Sequence, residues 1–293
     1  MAKILRVATC QFPVEPQISK NLKHVLRQIR ESAEEQADVV HFSETALSGY
    51  SGVDVPTSDS IDREELKSAT HEVLNSAKRH KVWVLLGSTH FLSGNHKPHN
   101  SVYVIDPKGK IHDRYDKRFC TGVVGKKPTL DMCHYTPGDH HSIFKIRGIP
   151  CAVLICYDFR FPEIYRDLKR QGVRVVFQSF HNARKTVVDD PSYNIWKTVV
   201  PATMSTRASE NGFWISANNS AARRSCWGSF AVQPDGAITG QLKLHKADVL
   251  LTEMDLSRDY FDPAAPWRER AMRGVLNSGE LVNDPRSSNR REL

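Results

Sequence analysis

The run IPCAVLICYD, residues 149–158, has almost no polar content before its last two residues, and a strand of that composition has no face it can turn to water. Both faces must be covered by protein. VRVVFQSF, residues 173–180, is a second buried strand. Between them PEIYRDLKRQG, residues 162–172, places Pro162 where a helix tolerates it, in the first turn, and Gly172 where the helix stops. Buried strands joined by a helix argue for a layered α/β domain.

The rest of the chain keeps this rhythm. After a strand near residues 4–12, Leu22, Val25, Leu26, Ile29 and Ala33 recur at helical spacing over residues 21–36. ADVVHFSE, residues 37–44, is a short apolar strand that ends in a carboxylate. Asp62 caps a second helix with Glu65 as its capping-box partner, and Leu66, Ala69, Val73 and Ala77 share one face. Strands follow at residues 81–91 and 100–109, the latter closed by the turn Asp106-Pro107-Lys108-Gly109. Residues 193–210 contain a further helix, and residues 213–221, 228–238 and 248–255 read as strands. The tail beyond about Asp255 is richer in Pro, Arg, Asn and Ser and has no strong periodicity. This divides the chain into a main domain, 1–256, and a tail, 257–293, that is expected to lie on the surface or on a partner subunit. The pattern fits two sheets face to face with helices outside, or one doubly wound sheet.

With 40% hydrophobic and 25% charged residues the composition is that of a globular protein and not of a disordered one. There is no apolar run long enough to span a bilayer, and the N-terminal MAKILRVATCQF reads as a strand and not as a secretory signal. Six cysteines at irregular spacing form no disulfide framework, which points to a reducing, cytoplasmic setting. A net charge of +8 favours anionic ligands, but the basic residues are scattered and accompany no nucleic-acid-binding motif.

Three side chains sit where chemistry would be placed. Cys156 closes the strand AVLIC just before a helix, where backbone N–H groups and the helix dipole favour a thiolate. Glu44 ends another apolar strand, at the kind of sheet edge where ligands collect. Lys117 lies in RYDKRFC, after a strand, and if buried beside the other two would stabilise an oxyanion. Each residue alone also has a plain structural explanation: a buried cysteine, a solvated carboxylate, a surface lysine.

Together and in this order, FSETALSGY, YDKRF and LICYDFRFPE resemble the glutamate, lysine and cysteine segments of the nitrilase superfamily of carbon-nitrogen hydrolases. YTPGD from Tyr135, RASENG from Arg207 and GSFAVQPDG from Gly228 extend the resemblance over about residues 4–256. It implies a four-layer α-β-β-α sandwich that assembles into dimers or larger oligomers through outer helices and the C-terminal tail. It also implies a catalytic set of Glu44, Lys117 and Cys156, with the backbone N–H of Tyr157 joining Lys117 at the oxyanion, and no metal or organic cofactor. The family's second glutamate falls on Asp131, six residues before Pro137. Tyr157-Asp158 follows the cysteine where nitrilases carry Trp-Glu, so the chain is more similar to the amidase and carbamoyl-hydrolase branches. The implied substrate is a small linear amide or carbamoyl compound. Arg160, His181, Asn182 and Arg184 are expected to line the acyl pocket or to bind a substrate carboxylate. The competing readings are nitrile hydrolysis, a non-catalytic binding protein, and a metal hydrolase built on Cys133, His134, His140 and His141 or on His96 and His99.

Overall fold

The computed structural model describes residues 4–125, 127–182 and 195–291. In chain order the first half forms β1 (Ile4–Gln11), α1 (Ile18–Glu34), β2 (Val39–Phe42), α2 (Arg63–His80), β3 (Trp83–His90), β4 (His99–Ile105) and β5 (Ile111–Asp116). After α3 (Asp131–His134) come β6 (Ile143–Ile146), β7 (Ile149–Ile155), α4 (Pro162–Arg170), β8 (Val175–Ser179), α5 (Trp196–Asn211), β9 (Trp214–Asn218), β10 (Phe230–Val232), β11 (Ile238–Gln241) and β12 (Asp248–Asp255). The chain divides after Phe261 into two compact units. The smaller one holds α6 (Ala265–Met272) and α7 (Pro285–Ser288) and leaves Leu276 and Leu281 exposed.

The larger unit contains two six-stranded sheets, ordered β12-β1-β2-β3-β4-β5 and β11-β10-β9-β8-β7-β6. Each has three parallel strands at its centre, β1-β2-β3 and β7-β8-β9, because only there do helical crossovers connect neighbours. The period-2 alternation of the strands then builds the layers. Ala8, Cys10, Val40, Phe42, Val84 and Leu86 face α1 and α2 and meet Ile18, Val25, Ile29, Ala69 and Val73. Leu5, Val7, Val39, Leu85, Val102 and Val104 face inward and join the core that continues through the second sheet to Leu168 and Met204 of α4 and α5. The result is a four-layer α-β-β-α sandwich, which decides between the two arrangements that the strand and helix pattern allows.

Near the ends of the parallel strands the layer between the sheets turns polar. His41 of β2 bonds Ser216 of β9 through Nδ1 at 2.8 Å and Ser179 of β8 through Nε2 at 2.9 Å, and Thr9 of β1 meets Ser216 at 2.7 Å. Asn218 bonds the carbonyl oxygens of Cys10 and His41. These contacts fix how one sheet lies on the other and bring the ends of β2 and β8 together.

Three strands, β5, β6 and β11, have no distinct apolar signal in the sequence. Each lies at or near a sheet edge, and β11 is largely exposed, so packing did not require an uninterrupted apolar run. Asp62 caps α2 by accepting from the N–H groups of Glu64 and Glu65. Among the described residues no helix is long and apolar enough to cross a membrane.

Candidate active site

Glu44 lies two residues beyond β2, where its N–H donates to Phe180 O across the sandwich at 3.2 Å. The turn that carries it runs over β3 at Gly87, where a Cβ would come within 2.0 Å of Ser43 O, so only glycine fits. Lys117 leaves β5 with its N–H on Asn100 O at 2.8 Å. The end of that strand is anchored by Asp116, which accepts Arg114 Nε and Nη2 at 2.8 and 2.9 Å and Ser101 Oγ at 2.5 Å.

Cys156 begins a short 3-10 turn, Cys156–Arg160, directly after β7 and adopts φ of 38°, a left-handed conformation for a residue with a side chain. Such backbone costs about 1–3 kcal/mol and persists where the surroundings determine it. Here the determinant is the buried Asp158, which accepts from Ile155 N at 3.1 Å, Tyr115 OH at 2.8 Å and Phe119 N at 2.9 Å. Asp158 therefore locks the cysteine turn to the segment that carries Lys117. Burial pushes its carboxyl up to about 6, against the donors that favour its charge. On the far side Gln178 donates to Cys156 O at 3.2 Å and accepts from Tyr165 OH at 2.5 Å.

At the centre is a fully buried ammonium between two carboxylates. Lys117 Nζ lies 2.7 Å from Glu44 Oε1, 2.8 Å from Asp131 Oδ2 and 3.1 Å from Tyr50 OH. Asn100 Nδ2 also donates to Glu44 Oε1, at 2.8 Å, whereas Glu44 Oε2 is buried without a hydrogen-bond partner. Asp131 further accepts Tyr50 OH at 2.7 Å and Thr121 N at 3.0 Å. Burial opposes charge on Lys117, but Asp131 and Glu44, with smaller contributions from Tyr50 and Cys156, hold its pKa well above the ordinary lysine range. The interaction with Cys156 is reciprocal: a cation held there favours the thiolate.

The structure thus brings Lys117 into direct contact with Glu44 and Asp131 and puts Cys156 within electrostatic reach of Lys117. Tyr157 follows the cysteine in the 3-10 turn, and His181 is buried beyond β8. Asn182 accepts from Cys226 Sγ at 3.0 Å, while its N–H donates to Asn219 Oδ1 at 2.9 Å. Arg160 is exposed, with its guanidinium over the rings of Phe159 and Trp196. Arg184 lies outside the described residues. Tyr50, Asn100, Thr121 and Asp158 escaped the sequence reading. Asp158 had a signal, two residues after Cys156 in the same motif, and Tyr50 closes the glutamate segment, whereas Asn100 and Thr121 had none.

The side chains considered for a metal diverge: Cys133 donates to Pro128 O, His99 and His140 bond Thr136 O and Arg114 O, and His141 meets Asp167. Among the described residues no three His, Cys, Asp or Glu are grouped to hold a metal ion. The thiols differ as well. Burial pushes Cys10, Cys120 and Cys151 up to about 12, whereas Cys156 is half-buried beside a cation. Cys156 is expected to be alkylated by iodoacetamide well before Cys10, Cys120 and Cys151, as peptide mapping at partial labelling would show; equal labelling of these four would contradict it.

The sequence model described as carbon-nitrogen hydrolase matches residues 6–260. The 2-oxoglutaramate amidase of Bacillus subtilis is 28% identical over 210 residues, 72% of this chain and 70% of that protein. The omega-amidase NIT2 of Xenopus tropicalis is 28% identical over 178 residues, 60% of this chain and 63% of that protein. Among solved structures an amidase from Nesterenkonia sp. superposes with a TM-score of 0.75 at 20% identity, covering 94% of this chain and 98% of that one. A mutant of the amidase from Nesterenkonia sp. AN1, TM-score 0.74 at 20% identity over 93% of this chain and 97% of that one, shows covalent addition of the acetamide moiety of fluoroacetamide at its active site cysteine.

Proposed function

The chain belongs to the carbon-nitrogen hydrolase family, and from that premise we propose that it cleaves a small linear amide or carbamoyl compound through a thioester on Cys156, releasing ammonia or an amine. The observation that carries this reading is the buried Lys117 ammonium held by Glu44 and Asp131 beside a half-buried thiol.

Each group has a task that its surroundings suit. Glu44 takes the thiol proton; a buried Oε2 without a hydrogen-bond partner supports that role, because it leaves one carboxylate oxygen able to accept. The Cys156 thiolate attacks the carbonyl carbon, and the electron pair moves to the oxygen, where Lys117 and the Tyr157 N–H stabilise the charge. Glu44 returns the proton to the departing nitrogen as the carbon-nitrogen bond breaks. Water then adds to the thioester with Glu44 as base, the acid leaves, and the thiol is restored. Asp131 serves as the second acid: it keeps Lys117 charged and in place. One methylene shorter than glutamate, it reaches Lys117 from the first residue of α3.

Amide rather than nitrile hydrolysis is favoured by Tyr157-Asp158 after the cysteine and by the amidase relatives at 28% identity. Arg160, Asn182 and Arg184 are assigned to a carboxylate at the far end of the acyl chain, with arginine the better bidentate partner. We extend the proposal to a homodimer or larger oligomer in the cytoplasm, which gel filtration and fractionation test.

Ammonia release from a panel of aliphatic amides, ω-amides, carbamoyl compounds and nitriles tests the function. The expected result is release from an amide or carbamoyl compound by the wild type and none by Cys156→Ala. Turnover of nitriles alone, or undiminished amide turnover by the variant, would refute the reading.

A further inference from the structure

Lys117 and Asp131 are held together by Tyr50, whose hydroxyl donates to Asp131 Oδ1 at 2.7 Å and accepts from Lys117 Nζ at 3.1 Å. It can serve both only while its ring is fixed. The ring is carried by a loop after β2, where Gly49 and Gly52 adopt φ of 74° and 80°. Tyr135 meets it edge to face, with centroids 5.7 Å apart and planes at 88°.

His181 stacks on Tyr50 with centroids 5.3 Å apart and planes at 19°. It comes from the opposite sheet, two residues beyond β8, and its side chain is fully buried. Its Nε2 lies 3.0 Å from Asp54 Oδ2, and the same oxygen accepts the Tyr50 N–H at 2.9 Å. Asp54 thus lies against the imidazole and holds the backbone of the residue that the imidazole covers. Neither ring nitrogen of His181 makes a hydrogen bond of good geometry. What His181 supplies is a flat, buried face.

We propose that His181 is a positioning residue: buried and stacked face to face on Tyr50, it holds that ring so that the hydroxyl keeps Lys117 Nζ against Asp131 and within electrostatic reach of Cys156. This assigns it a role behind the lysine instead of a place in the lining of the acyl pocket, and full burial under the Tyr50 stack favours the former. The inference rests on Cys156 as nucleophile and on Lys117 as the cation beside it.

The test compares His181→Ala, His181→Leu and His181→Phe. Leucine fills the space without a flat face, and phenylalanine restores the face. A catalytic group displaced by about an ångström loses up to about a hundredfold in rate, so kcat should fall about 10- to 100-fold in the alanine and leucine variants with KM within about threefold. Phenylalanine should restore kcat to within about threefold of wild type. In parallel, alkylation of Cys156 by iodoacetamide should slow several-fold in the alanine and leucine variants and recover with phenylalanine, because Lys117 governs the thiolate. If the alanine variant fails to fold, the leucine and phenylalanine pair decides. Unchanged alkylation in the leucine variant would overturn the inference, as would a raised KM at unchanged kcat in the leucine and phenylalanine variants alike, the signature of direct substrate contact. If wild type hydrolyses nothing on the panel while alkylation follows this pattern, the proposed function fails and the positioning role stands.

Discussion

Lys117→Ala is expected to lower kcat by at least about a thousandfold, the scale of losing a preorganised charge at a developing oxyanion. Here the loss should be aggravated, because the same ammonium neutralises the carboxylates on either side of it. Without it Glu44 and Asp131 are two buried carboxylates in one site with no cation between them. Folding should suffer too, since removing one partner of a buried ion pair costs about 3–5 kcal/mol. Urea denaturation at pH 7.5 should read that deficit against wild type. A kcat within tenfold of wild type would remove Lys117 from the chemistry, and unchanged stability would show that the carboxylates do not depend on it.

The second large effect concerns His41, the imidazole between the sheets. Burial lowers its pKa to about 3, from an ordinary value of 6.5. In the unfolded chain the ring takes up a proton as pH falls below 6.5, while in the folded protein it stays neutral down to about 3. The unfolded state therefore binds more protons across that window, and stability is complete above pH 6.5 and falls with acid. At 1.36 kcal/mol for each pH unit the loss approaches about 5 kcal/mol near pH 3 and is about 3 kcal/mol at pH 4.5. Asp158 acts in the opposite direction, since its folded pKa of about 6 lies above the unfolded 3.8 and proton uptake favours the fold between them. Comparison with His41→Gln separates the two, because the variant keeps Asp158 and every other titrating group. The variant should be less stable than wild type at pH 7, where it loses the bonds to Ser179 and Ser216, yet it should lose about 3 kcal/mol less between pH 7 and pH 4.5. Parallel pH profiles for the two proteins would show that His41 is not the buried neutral group described.

The segment β7-α4-β8 was legible in the sequence because both strands are covered on both faces, and covered strands have little choice of residue. The edge strands β5, β6 and β11 were not, since a half-exposed strand tolerates side chains such as those of His112, Arg114, Lys145 and Gln241. The choice between stacked sheets and one doubly wound sheet was also invisible to pattern. It is made by contacts between residues far apart in the chain, among them Thr9 with Ser216 and His41 with Ser179, and a serine at residue 179 or 216 announces nothing locally. The same division holds at the site. Glu44, Lys117 and Cys156 stand in motifs, and counting back from Pro137 reached Asp131, whereas Asn100 is an ordinary amide at the start of β4 that acquires meaning only through its 2.8 Å bond to Glu44. Tyr50 was in view as a letter of a motif. Its place between Lys117, Asp131 and His181 depends on loops that converge from three parts of the chain.

In the proposed reaction, carbon-nitrogen cleavage passes through a bond to one particular sulfur, that of Cys156. The direct measurement is mass spectrometry of protein quenched in acid during turnover of whichever amide the panel identifies, with the adduct located by peptide mapping. The expected result is a mass increase equal to the acyl group, confined to the peptide that contains Cys156, absent from Cys156→Ala and discharged by hydroxylamine, as a thioester is. Rapid amide turnover by wild type with no adduct at any quench time, even with hydroxylamine present during turnover to intercept an acyl group as its hydroxamate, would contradict it, as would an adduct on any other residue.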